Sequence, residues 1–291
     1  MNWLGWLSIA VGVLLIALMG IKWMGESRWA ELMQTHTGEL EAARVDSGTN
    51  GQPPPRFELR ELEGLPTPVQ RYFRAVLKEG QPIISAANIE MKGIINMSAS
   101  GESWKPFSST QRVITRRPGF LWNASVAMFP GLPARVEDSY IAGQGNLNAR
   151  LLGLFSVADA HGSGELARGE FMRWFAEAPW YPTALLPSQG VQWAEVDALS
   201  AKASIVDGPI SLTLLFRFNE AGFITSVHAD ARGAGVGKDM QMLQWECALF
   251  DYRLFHGMMI PMTGEAAWVR ADGRKPYFIG HVRELKYEFG R

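Results

Sequence analysis

The stretch Ile210–Phe218, ISLTLLFRF, sets Ile210, Leu212, Leu214, Phe216 and Phe218 against Ser211, Thr213 and Arg217. A two-residue period is that of a strand with one face in a core and the other in water. Asp207-Gly208 precedes it as a hairpin signal, and 219–222 (NEAG) follows as a turn. Beyond the turn, Phe223, Val227, Ala229 and Ala231 oppose Ser226, His228, Asp230 and Arg232. This second strand puts Arg232 on the polar side.

Outward from this pair the same texture continues. Residues 241–252, 266–270 and 277–289 read as strands, the last two joined around Asp272-Gly273. Towards the N-terminus, 83–97, 108–116, 120–128 and 135–142 do the same, with short runs near Trp193 and Ile205. About ten strands in short-loop succession predict an antiparallel meander that curls into a barrel or half-barrel. One helix precedes the series and a second interrupts it. The first has Thr67 as its cap, Pro68 in its first turn, an apolar stripe of Val69, Tyr72, Phe73, Val76 and Leu77, and Gly80 at its exit. The second carries Leu166, Phe171, Trp174, Phe175 and Ala178 on one side, ends at Pro179 and runs into 180–187 (WYPTALLP). Sheet, helix, sheet in that order predicts a mainly β (α+β) fold. The expected form is a strongly curved antiparallel sheet or half-barrel with helices across its concave face.

Residues 3–21 (WLGWLSIAVGVLLIALMGI) are nineteen positions without a charge. As a helix they span about 28 Å, close to the hydrocarbon thickness of a bilayer. Trp3, Trp6 and Trp23 lie near the ends, where such rings prefer the headgroup level. A cleaved signal requires a basic start and a small-residue cleavage site. No Lys or Arg precedes this stretch and Met19-Gly20-Ile21 is no such site, so it reads as a retained, single-pass anchor. Trp29, Leu32, Met33, His36 and Leu40 continue at helical spacing, whereas 47–55 (SGTNGQPPP) resists helix and sheet alike. The expected division is an anchor (1–24), a helical continuation with a Pro/Gly-rich tether (25–64) and one β-rich soluble domain (65–291).

With 28 basic and 29 acidic side chains, the chain lacks the cationic excess that nucleic-acid binding requires. Apolar residues at 47% exclude disorder for most of the length. Cys247 is alone, makes no internal disulfide and reads as a small core residue. The five histidines are scattered, and no nucleotide-binding, nucleophile-elbow or zinc-protease motif is present. Neither cofactor nor metal is expected. The glycine-rich 233–237 (GAGVG) has no helix pattern after it and reads as a loop. Eleven Trp, 15 Phe and 13 Met suit either a large core or the walls of an apolar ligand cavity.

Residues 116–122 (RRPGFLW) resemble the RPG-x-x-RW strand turn of bacterial periplasmic lipoprotein carriers of the LolA type, with Leu121 where the carriers have arginine. The stretch from Asp251-Tyr252-Arg253 to 257–261 (GMMIP) is similar to their late strand. Those carriers are antiparallel half-barrels with a helical lid over a cavity that holds acyl chains. A second resemblance covers about four-fifths of the chain. Residues 65–73 (LPTPVQRYF), 104–107 (WKPF), 118–122 (PGFLW), 173–187 (RWFAEAPWYPTALLP), 257–261 and 264–268 (GEAAW) look like motifs of an uncharacterised bacterial membrane-protein family whose domain has no assigned function. The carrier resemblance implies an apolar interior on the extracytoplasmic side of the inner membrane. Lys22 and Arg28, after the span, lean towards a cytoplasmic flank instead.

Arg173 and Glu177 share a face of the second helix. They either grip a polar head at a cavity mouth or simply pair to fix helix to sheet. Trp122, Trp174, Trp180 and Tyr181 either stack on an acyl or ring-bearing ligand or form plain core. Glu137 and Asp138 are neighbours on a strand and point to opposite faces, so they make no carboxylate pair, whereas Asp138 with Glu177 or Glu265 stays geometrically open. The leading expectation is a membrane-anchored, non-enzymatic domain that binds a lipid-like or apolar ligand through Trp122, Arg173, Trp174, Glu177, Trp180 and Tyr181. One alternative is an envelope hydrolase with Glu177 or Asp138 as acid or base. Another is an interaction or scaffold module of a membrane complex, using a strand edge or an aromatic patch.

Overall fold

In the computed structural model, which describes residues 3–45, 55–98, 101–129, 131–235 and 240–290, the alternating segments join into one 13-stranded sheet. Its first half comprises β1 (Ile84–Asn96), β2 (Trp104–Ile114), β3 (Gly119–Phe129), β4 (Leu132–Ile141), β5 (Gln144–Leu151) and β6 (Phe155–Gly162). The second comprises β7 (Gln192–Asp197), β8 (Ser200–Asp207), β9 (Ile210–Phe218), β10 (Ile224–Ala234), β11 (Gln241–Phe255), β12 (Met258–Arg270) and β13 (Gly273–Phe289). Each half is a meander of sequential neighbours, and an antiparallel β1–β13 pairing joins the two, leaving β6 and β7 as edges. The alternation in β9 is realised: Leu212, Leu214, Phe216 and Phe218 are buried. Gly208 and Gly273, in the two anticipated hairpin turns, have φ of +53° and +111°, which glycine tolerates without strain.

β5 (QGNLNARL) and β6 (FSVADAHG) are strands that the sequence did not announce. Neither has an unbroken apolar alternation, and β6 is an edge with an exposed outer row. Their pairing, not their side chains, makes them strands. The first helix, α1, runs unbroken from Trp3 to Ala43. Next, α2 (Thr67–Val76) buries Val69, Tyr72, Phe73 and Val76 as its stripe predicts. Its cap is Pro66 rather than Thr67: the Pro66 carbonyl accepts from the Val69 and Gln70 amides, and no side chain caps the turn. The third helix, α3 (Glu165–Ala176), links the two edges across the concave face, touching β3, β4 and β5 of one wing and β9 and β10 of the other. Tyr140 on β4 donates to Asp207 Oδ2 at the end of β8 (2.7 Å), a further tie between the wings. The sheet is therefore curled round α3.

Aromatic side chains fill most of that concave space. Tyr140 and Phe171 stack with centroids 5.0 Å apart, and Trp193 meets Phe216 edge-on at 5.1 Å. Phe57 and Leu62, from the segment ahead of residue 65, also enter this core. The rest of the anticipated tether, 47–54, lies outside the described residues, as do 236 and 237 of the glycine-rich stretch, whose Gly233 and Ala234 finish β10.

The N-terminal part of α1 has a mean hydropathy of 2.1 with none of it buried, and is long and apolar enough to cross a membrane. Its second half lies on the convex face of the sheet. Trp29, Met33 and Leu40 pack on Ala86, Ile114, Leu121 and Ile141. Trp29 Nε1 donates to Asn123 Oδ1 (2.9 Å), and Arg112 bridges Glu41 and Glu288. Leu121 sits beneath this helix in an apolar contact that a charge would disrupt.

Candidate ligand site

Glu170, Arg173 and Glu177 follow one another at helical spacing on the face of α3 that looks along the curled sheet. Arg173 is held from three directions. Its Nη1 donates to Asp138 Oδ2 (2.7 Å), its Nε to Glu177 Oε1 (2.8 Å) and its Nη2 to Gln111 Oε1 (3.3 Å). Gln111 in turn donates to Glu177 Oε2 (2.6 Å), so both oxygens of Glu177 are engaged. The guanidinium lies 4.9 Å from the ring centres of both Phe120 and Trp122. Burial works against its charge, but Glu177, Asp138 and Glu170 outweigh it and raise its pKa. As the strand alternation demands, Asp138 points inward to this cluster while Glu137 points out beneath α1, 2.6 Å from His36.

A second guanidinium faces the first group across the concavity. Arg232 sits 4.6 Å from the ring centre of Trp245, near Glu170 Oε1 (3.5 Å), and donates to the Tyr277 hydroxyl (3.3 Å). Tyr277 also accepts from Trp245 Nε1 (3.0 Å). The plain alternation of β10 puts Arg232 outside, and this is corrected here. The β10–β11 register shifts between Ala229 and Arg232, and the bulge turns Arg232 inward to 7% exposure. The one sequence hint was Gly233 immediately after it, since glycine inside a strand often accompanies a bulge.

Between these groups lies a cavity of about 80 Å³, walled by Trp122, Trp180, Trp245, Tyr277 and Phe278, with Arg173, Arg232, Asp138, Glu177 and Cys247 among its polar lining. Trp180 packs against Gly264, where a Cβ would come within 2.8 Å of the indole. Three residues that line the cavity carry a buried polar atom without a partner, the donors Trp122 Nε1 and Arg232 Nε and the acceptor Asp138 Oδ1, and Glu170 Oε2, beside Arg232, is a fourth. Burial, offset only in part by Arg173 and Arg232, raises the Asp138 carboxyl. Burial and the charge of Asp138 push that of Glu170 up to about 7. Burial also pushes the Cys247 thiol up, which fits an inert wall residue. Among the described residues no group of three His, Cys, Asp or Glu is placed to hold a metal ion.

Of the six side chains singled out in the sequence, Trp122, Arg173, Glu177 and Trp180 meet at this cavity. Trp174 and Tyr181 do not line it. Trp174 Nε1 donates to the Ile114 carbonyl (3.1 Å) and Tyr181 to the Trp174 carbonyl (2.6 Å), which makes both of them core. Glu170, Arg232, Trp245 and Tyr277 join the site from positions that carry no recognisable motif.

A family model described as a family of unknown function (DUF6920) matches residues 63–287. The crystal structure of a LolA superfamily protein from Nitrosomonas europaea is similar to the chain with a TM-score of 0.40 and 7% identity, covering 76% of this chain and 92% of that one. No curated protein matches.

Proposed function

The chain belongs to the family of unknown function DUF6920, which assigns it no activity, and from the geometry we propose a membrane-anchored, non-enzymatic binding domain that takes the polar head of a lipid-like ligand between Arg173 and Arg232. In this reading residues 3–21 cross the bacterial inner membrane once, the segment to 64 carries the helix along the sheet, and the β-rich domain from 65 onward lies outside the cytoplasm. The observation that carries the proposal is the presence of two unpaired donors, Trp122 Nε1 and Arg232 Nε, and an unpaired acceptor, Asp138 Oδ1, on residues that line one aromatic-walled space. Each buried polar atom left without a partner costs about 1–3 kcal/mol. A guest bearing hydroxyl or amide groups relieves both kinds; a purely apolar guest relieves neither. The space is roughly two or three waters in volume, so it takes a head and leaves the acyl part against the aromatic mouth.

The test is thermal denaturation of the full chain in detergent with single added lipid classes. A specific ligand raises Tm by mass action, worth about 2.7 kcal/mol at a hundredfold excess over Kd. A hydroxyl- or amide-headed lipid is expected to do so for the wild type and for Glu165→Gln, which lies away from the cavity, but not for Arg232→Met. If no lipid class moves the wild-type Tm, the proposal fails. An envelope hydrolase is the second reading, and the free, buried Oδ1 of Asp138 is what favours it. Glu177 drops out of that chemistry, since both its oxygens are engaged. Hydrolysis of an added lipid that Asp138→Asn abolishes without loss of binding would support it.

A further inference from the structure

The hairpin tips beside α1 carry bulky apolar side chains that none of the described residues covers. Phe129 and Leu132 flank the β3–β4 turn at 62% and 40% exposure; Phe155 and Val157, just past the β5–β6 turn, stand at 61% and 72%. In an antiparallel meander these two turns fall at the same end of the sheet, and the Leu152 amide donates to the Pro133 carbonyl (3.1 Å) to hold them together. Monomeric domains rarely leave contiguous apolar surface of this kind in water without a use.

The position of α1 fixes where this end of the molecule sits. Gly25 packs directly on the β5–β6 turn, so close that a Cβ there would overlap the Leu152 carbonyl. One residue later Glu26 pairs with Arg135 of β4. From Ile21, the last residue of the uncharged stretch, to Gly25 is four positions of one unbroken helix, a rise of about 6 Å. The turns are therefore locked at the level where the apolar helix ends, alongside Trp23, itself 73% exposed. From there α1 descends the convex face towards the opposite end, where the Val45 amide meets the Arg116 carbonyl (3.4 Å).

We propose that the β3–β4 and β5–β6 turns form a second contact with the bilayer, seating Phe129, Leu132, Phe155 and Val157 at the boundary of headgroups and acyl chains beside the anchor. The occupant is the lipid surface, because the apolar patch continues the apolar helix at one level and aromatic rings favour that depth. Two attachments, helix and turns, fix the tilt of the domain as well as its height. They also turn towards the membrane the end of the sheet that holds Ile95, Arg232, Ala266 and Tyr277, four of the residues around the cavity. This inference rests on the reading of residues 3–21 as an anchor, and its test separates the two.

The full chain is placed in vesicles of phosphatidylethanolamine and phosphatidylglycerol, with an environment-sensitive fluorophore on a single introduced cysteine; Cys247 is buried. Probes go at Phe129→Cys and Phe155→Cys, at Trp6→Cys within the span, and at Gln144→Cys at the far end of the sheet. Nitroxide-bearing lipids are the quencher. The proposal expects blue-shifted emission and loss of most of the fluorescence at 129, 155 and 6, with none at 144. Quenching at 6 alone overturns the turn contact and leaves the anchor standing. No quenching at 6 removes the anchor and this proposal with it. Shielding at 129 and 155 that persists in detergent without lipid quenching assigns the patch to a protein partner or a second copy, and overturns the proposal too.

Discussion

At Arg173 helix and sheet are joined by charge inside a core, with Asp138, Glu177 and Gln111 on one side of the guanidinium and two aromatic rings against its faces. Removing one partner of a buried pair leaves the other charge unsolvated, at about 3–5 kcal/mol. Arg173→Met is accordingly expected to lower the unfolding free energy by that amount, and Asp138→Asn added to it should recover part. Chemical denaturation reads both; a loss under about 1 kcal/mol would mean the pair behaves like an exposed one. Glu170 supplies a pH signature. Its folded carboxyl titrates near 7 rather than at its ordinary 4.5. Below 4.5 both states hold the proton; between the two values the unfolded chain releases it first, so stability falls as pH rises, then levels off. Glu170→Gln should remove that part of the slope, and an unchanged slope would show that the carboxyl is not held up. The two arginines also mark how far residues were legible. Arg173 and Glu177 could be paired by eye because helical spacing survives folding. Arg232 could not, because a bulge one turn of the pleat away reverses its side and leaves only Gly233 as a trace.

The element that links the apolar N-terminal stretch to the sheet is the second half of α1. Its stripe of Trp29, Met33, His36 and Leu40 is plain in the sequence, but the surface that receives it is not. Ala86, Ile114, Leu121 and Ile141 come from four different strands and gather only when the sheet has formed. Below Trp29 the contact turns polar: His36 Nδ1 lies 2.6 Å from Glu137 Oε1, on a carboxylate with no exposure. That hydrogen bond raises the His36 pKa above 6.5, against the opposing effect of burial. A raised folded pKa means the stabilisation is complete below 6.5 and is lost as pH rises through the folded value. Hydrogen exchange in residues 26–43, corrected for the intrinsic pH dependence, should therefore show α1 loosening from the sheet as pH climbs above 6.5. His36→Gln should make the protection independent of pH, and a wild-type helix equally protected at high pH would contradict the pairing. The strands β5 and β6, at one end of the sheet, lacked any such stripe, so only their neighbours define them.

For the whole molecule, alternation in segments such as Ile210–Phe218 and the sheet–helix–sheet order were enough to derive a curved antiparallel sheet around a helix. What local pattern could not specify is how completely the curl is filled, because that depends on rings meeting from distant strands, as Phe107 and Phe278 do at 5.0 Å. Beside the two guanidiniums the packed interior leaves a cavity, and the unpaired Trp122 Nε1, Arg232 Nε and Asp138 Oδ1 belong to its lining residues. The proposed recognition of a lipid's polar head, with the chain left at the rim, rests on that distribution. Mass spectrometry of lipid retained by the full-length protein in mild detergent tests it most directly, with Ala266→Phe, which fills the cavity from β12, beside the wild type. One lipid class carrying hydroxyl or amide groups should remain on the wild type in near-stoichiometric amount and be lost from the folded variant. Equal retention by both, or none by the wild type in any detergent that keeps it folded, would contradict the account.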